Sequence, residues 1–200
     1  MSKEWEEVFD ETYIVVKEIK QFIKNYEYSD PEKSKKTDEA VCSFFLEHLN
    51  QAKNIIHDII CLAFSLQKEN ELTEILDDME DEIEIFSDEI QARVCHWKDV
   101  PKEYLKKIIL RDSFLIIGVQ QLVKNLELLK EEYLKLQREK SKFEYDKGIE
   151  KLIEKTKEIE KQIDNLVILF KEREGLCNVK PIDLKRVFEK IQKRARETTW

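Results

Sequence analysis

Residues 71–92 read ELTEILDDMEDEIEIFSDEIQA. Leu72, Leu76, Met79, Ile83, Phe86 and Ile90 recur at steps of three and four, and Val94 continues the series. That spacing puts the apolar side chains on one helix face, ready to pack against a second helix. The remaining faces carry ten carboxylates and no Lys or Arg. The stretch therefore predicts a long amphipathic helix with an acidic outer surface, and it sets the pattern for the chain on either side of it.

Toward the N-terminus, Val41, Phe44, Phe45, Leu49, Ala52, Ile55, Ile56, Ile59, Leu62, Ala63 and Leu66 form a second stripe. The spacing predicts a helix beginning at Thr37 or Asp38, either of which can cap it. Before it, YSDPEKSKK at 28–36 reads as a linker with Asp-Pro as its turn signal. A first helix is predicted from about Glu4 to Tyr26, through Trp5, Val8, Phe9, Val15, Val16, Ile19, Phe22 and Ile23. Toward the C-terminus, Pro101 sits at the start of a helix that meets no strong breaker before about Phe143, with Gly118 as a candidate kink. A further helix carries Ile149 to Phe170 and stops near Gly175, and Pro181 opens a short basic helix.

Composition agrees with this reading. The chain has 200 residues, 39% of them charged, with three Gly and three Pro. So few turn residues argue against sandwiches, barrels and open α/β sheets. No two glycines lie close enough for a phosphate-cradling loop. The expectation is an all-α, elongated antiparallel bundle of five to six helices: one domain over 1–200, with an N-terminal helix in 1–28, a linker at 29–36 and the bundle in 37–200. The net charge of −8 disfavours nucleic acid as a partner. The apolar runs are too short for a transmembrane segment. MSKEWEEVFDE lacks a signal-peptide core, and the four cysteines form no CxxC, so a reducing, cytoplasmic setting with inert thiols is expected.

A shift of 80 residues aligns Leu72 with Leu152, Met79 with Ile159, Ile83 with Ile163 and Pro101 with Pro181. The same shift pairs Glu80 and Glu84 with Glu160 and Asp164, which is the pattern of an internal repeat. Carboxylates four apart share a helix face and repel, and a hard cation between them would reverse that penalty. Glu80/Glu84, Glu160/Asp164 and Asp77/Asp81 are such pairs. The alternatives are a solvated acidic face or an anchor for a basic partner. Asp112 lies among Ile108, Ile109, Leu115 and Ile116 on an apolar stripe. A carboxylate there is costly unless it meets a metal or a cation from a neighbouring helix, or is exposed at a bundle end. His48, on the face of Phe44 and Phe45, reads as a hydrogen-bonded core histidine. Lys180–Arg196 holds seven basic residues and two acidic ones, a charged helix face or an anion-binding patch.

ILDDMEDEIEIFSDEI, DVPKEYLKKIILRDSF, EIEKQIDNLVILF and KPIDLKRVFEKI together resemble the PhoU-like family, short archaeal and bacterial relatives of the phosphate-uptake regulator. The resemblance implies two three-helix repeats. It also implies divalent metal (Fe, Zn, Mn or Mg) held by Asp77, Glu80, Asp81, Glu84, Asp112, Glu160 and Asp164. The implied role is non-enzymatic regulation of phosphate transport, through a transporter or sensor component as protein partner, or through self-association as a homo-oligomer. Two alternatives stand beside it. One is a coiled-coil-type scaffold or adaptor without metal. The other is an all-α Mg-dependent nucleotide pyrophosphohydrolase, for which Glu71 and Glu74 supply half of the required carboxylates.

Overall fold

The structure, a computed structural model, describes residues 12–64, 66, 69–93, 95, 97, 100–139 and 141–177. Those residues form five helices and no strand. Residues 12–19 form α1. The long helices are α2 (Pro31–Ala63), α3 (Glu69–Ala92), α4 (Lys102–Leu136) and α5 (Lys142–Cys177). The 35 residues of α4 span about 50 Å at the rise of an α-helix.

α2 starts earlier than its apolar stripe predicts. The Asp30 carboxylate accepts from the backbone N–H groups of Glu32 and Lys33, and Pro31 occupies the first turn, where no N–H is needed. The predicted linker is thus mostly helix, and Thr37 and Asp38 are buried rather than capping. The Thr37 hydroxyl donates to the Glu27 carbonyl and accepts from the Glu27 N–H, pinning the chain that enters the helix. The predicted first helix ends earlier than expected, because helical structure stops at 19 and residues 20–30 turn. The reason lies in Tyr26 and Tyr28, which are both buried. Side chains two residues apart cannot share a helix face, so a continuing helix would expose one of them. The earlier part of that predicted helix, and the basic helix after Pro181, lie outside the described residues.

Four helices pack in a ring ordered α2, α3, α5, α4, and across the ring α2 and α5 meet through side chains only. Residue pairings fix the directions. Lys130 meets Asp58 and Gln137 meets Leu62, so α2 and α4 run parallel. Glu71 meets Lys157 and Glu89 meets Lys171, so α3 and α5 also run parallel. Arg111 meets Glu172 and Asn125 meets Gln162 in the antiparallel α4–α5 hairpin. The segment between α3 and α4 therefore crosses the end of the bundle to the opposite corner.

The predicted stripes form the main core, in which Phe45, Phe86 and Phe170 from three helices pack with ring centroids 5.4–6.1 Å apart. A second cluster joins α1 and residues 23–28 to the first half of α4 and to Trp97. α4 is a single helix running through Gly118, which marks a close approach and does not interrupt it. A Cβ built there would lie 2.7 Å from Cδ2 of buried Leu166 on α5.

Alanine at 118 gains about 1 kcal/mol in helix propensity and displaces only the tip of Leu166, so Gly118→Ala leaves stability nearly unchanged. Gly118→Leu overfills the interface and lowers stability by about 1–3 kcal/mol. Urea denaturation of the two variants checks this contrast.

Candidate functional site

The bundle end nearest α1 contains a buried ionic centre built from residues 26–28, α2, α4, α5 and the residue that follows α3. Arg173 on α5 and Asp112 on α4 are both fully buried. The Arg173 Nε–H donates to Asp112 Oδ1. Its Nη2 donates to the Tyr28 hydroxyl at 3.0 Å. Its Nη1 lies 2.8 Å from Asp38 Oδ1 on α2, a close charge pairing that is not aligned as a hydrogen bond. The hydroxyls of Tyr26 and Tyr28 both donate to Asp112 Oδ2, each at 2.7 Å. Arg93, just beyond α3, donates to Asp38 Oδ2 and stands 5.8 Å from the Phe170 ring centroid.

Two guanidiniums face two carboxylates, so the centre is neutral as a unit. Burial works against the charge on Arg173, yet Asp112 overcomes it and holds the guanidinium more firmly protonated than usual. Burial, reinforced by Asp112, pushes both tyrosines well above the ordinary phenol range, so they remain hydrogen-bond donors. Burial and the neighbouring Arg173 draw Arg93 below its usual value.

Of the sequence expectations for Asp112, the cation from a neighbouring helix is what the structure contains. Both of its oxygens are occupied by Arg173 and the tyrosines, which leaves no lone carboxylate to recruit a metal. Sequence reasoning passed over Arg173, Asp38, Arg93, Tyr26 and Tyr28. One signal was available: Arg173 falls three residues after Phe170 on the buried stripe of α5, a cation on an apolar face that complements the acid on α4.

The other predicted metal ligands lie elsewhere. Asp77 and Asp81 are exposed on the outer face of α3. Glu84 pairs with Lys53 of α2 at 2.7 Å, and Glu80 lies 4.0 Å from the same ammonium. Glu160 and Asp164 face α3, where they meet Glu82, a residue not singled out from the sequence. Partial burial, then Asp164 and Glu160, push the Glu82 carboxyl up to about 7, and in its protonated form it donates to Asp164. Among the described residues, no group of three or more His, Cys, Asp or Glu side chains is arranged to hold a metal ion. His48 hydrogen bonds through Nδ1 to the Phe44 carbonyl at 2.8 Å and packs on the Phe44 ring.

The rest of the α3 outer face is a band of exposed acids: Glu74, Asp77, Asp78, Asp81 and Asp88, interrupted by exposed Ile85. No Lys or Arg forms an ion pair with these five among the described residues. No helix among the described residues is long and apolar enough to cross a membrane. No protein-family model, curated protein or solved structure matches this chain.

Arg173→Met strands Asp112 in the core and is expected to lower stability by about 3–5 kcal/mol. Adding Asp112→Leu removes the orphaned charge, so the double variant should be more stable than Arg173→Met alone. Equilibrium unfolding in urea distinguishes these outcomes. Glu82 adds a pH signature. A carboxyl whose folded pKa is raised from 4.5 to about 7 contributes stability at low pH that is lost as pH rises between those values. Glu82→Gln should flatten the fall in melting temperature across that window.

Proposed function

We propose that this chain is a non-enzymatic binding protein, a helical scaffold or adaptor that presents the outer face of α3 to a basic protein segment. The observation that carries the reading is the band Glu74, Asp77, Asp78, Asp81 and Asp88, exposed along one side of a rigid helix with no cation paired to it among the described residues. Like charges held in a row repel, and a basic helix laid along them relieves that repulsion while releasing counter-ions. Ile85 at 62% exposure supplies an apolar contact within the band. The buried polar groups support the same reading. Arg173 and Asp112 are fully buried and paired with each other and with the tyrosines, which suits a device for fixing helix positions better than one for turning over a substrate.

The basic partner can be a second copy, because residues 180–196 carry seven Lys and Arg against two acids. A synthetic peptide of that sequence is therefore the probe. It should bind the full chain with an affinity that falls steeply with salt, because exposed charges are screened beyond about 10 Å at 0.1 M. Replacing Asp77, Asp78 and Asp81 together by Asn should weaken binding at least about tenfold. Equal affinity for the variant and the parent chain sinks the proposal.

A metal-dependent form of the same role, along PhoU-like lines, rests on a separate observation. Glu82, Glu160 and Asp164 lie near one another between α3 and α5, although as they stand they are not arranged as a ligand set. Their donors are all carboxylate oxygens, which suit Mg2+, Mn2+ or Fe2+. In that reading the 80-residue repeat relates two helices that pack side by side. A divalent ion would ionise Glu82 and raise the melting temperature at neutral pH. Glu160→Gln with Asp164→Asn would abolish that rise. Absence of any metal-induced shift, together with metal-free elemental analysis after reconstitution, removes the metal and leaves the adaptor.

A further inference from the structure

Three of the four cysteines come together beside the ionic centre, although they are far apart in sequence. Cys42 lies on α2, Cys95 in the segment crossing from α3 to α4, and Cys177 at the end of α5. The fourth, Cys61, is exposed. The Cys95 thiol donates to the Cys177 carbonyl at 3.4 Å, and the two thiols are near enough to shift each other's titration. Arg173 Nη1 lies 3.9 Å from Cys177 Sγ. A cavity of about 520 Å3 opens beside Cys95 and is lined also by Asp38, Cys42, Arg93 and Trp97. Cys95 is half-buried and borders that cavity, whereas Cys177 is closed off behind it.

We propose that Cys95 and Cys177 are an oxidisable pair, in which Cys95 is the thiol that meets a peroxide entering through the cavity and Cys177 is the thiol that resolves it. The charges around the pair divide the roles. The neighbouring Cys177 thiol holds Cys95 below the usual thiol range; Arg93 and Arg173 add to that, against burial and the carboxylate of Glu174. Cys95 and burial push Cys177 up, and burial pushes Cys42 up to about 11. Thiolates react and thiols do not, so Cys95 is the nucleophile of the three.

The chemistry balances with hydrogen peroxide as oxidant. The Cys95 thiolate attacks one peroxide oxygen, the O–O bond breaks, and hydroxide leaves with a proton as water. Cys95 is now a sulfenic acid. The Cys177 sulfur then attacks the Cys95 sulfur, the S–O bond breaks, and the departing hydroxide takes the Cys177 proton. The sulfurs lose two electrons in total, and the peroxide gains them. The product disulfide would tie the crossing segment to the end of α5, directly over Arg93 and Arg173.

The test uses the reduced full chain treated with hydrogen peroxide and mapped by mass spectrometry without reductant. The expected result is a linked pair of peptides containing Cys95 and Cys177, with Cys42 and Cys61 still free to alkylate. Before oxidation, Cys95 should alkylate at pH 7 at least about tenfold faster than Cys42. In Cys177→Ser, a dione probe should label Cys95 as sulfenic acid. Because the parent chain alone decides the linkage, a misfolded variant does not rescue the idea. A Cys42–Cys95 link, dimers joined through Cys61, or Cys95 no faster than Cys42 would overturn it.

Discussion

Arg173 is a full positive charge with no exposed surface, and the described structure is arranged to tolerate it. An isolated guanidinium in such a place would cost several kcal/mol in lost hydration. Asp112, Asp38 and the Tyr28 hydroxyl each come from a different segment, and each must arrive for the charge to be matched. The centre therefore acts mainly on which arrangement of helices is allowed. Helices with heptad stripes can slide past one another by a turn and still bury Leu and Ile. Such a slide would pull Asp112 about 5 Å from Arg173 and leave both unpaired. The apolar core supplies most of the driving force, and the ionic centre selects one register from several that the core alone would accept.

How much of this was legible in the sequence follows from the same physics. The apolar stripes of α2 to α5 became the core as read, because periodicity reports directly on which face is buried. The start of α2 was misjudged because Asp30-Pro31 signals a turn and a helix cap equally well, and only tertiary contacts to Thr37 decide between them. Asp112 stood out because an acid on an apolar stripe is anomalous by itself. Its partner did not, since a long arginine near a helix end can reach solvent from many positions. The carboxylate pairs show a limit of spacing arguments. Four-residue spacing guarantees a shared face but does not say which way that face points. Asp77 and Asp81 look outward, Glu80 and Glu84 look toward Lys53, and Glu160 and Asp164 look toward Glu82.

The clustering of cysteines could not be read from spacing at all. Cys42, Cys95 and Cys177 sit on three segments, and the crossing segment that carries Cys95 has no periodicity to place it. That segment is set by topology: α3 and α4 occupy opposite corners, so the chain between them must pass over the bundle end. In doing so it delivers Arg93, Cys95 and Trp97 to one spot. The parallel alignment of α3 with α5 is a second product of this route, and it brings like-charged carboxylates level with one another.

The two ends of the bundle consequently come apart in different ways. At the end formed by Ala63, Leu66, Leu136 and Gly148, contacts are mostly apolar and can be surrendered one side chain at a time. Fraying there is gradual, and amide hydrogens should exchange in a graded series. The opposite end has no such half-measures. Withdrawing α4 or α5 alone leaves a bare ion facing the core, whereas releasing both together returns every ion to water. That end behaves as one cooperative latch.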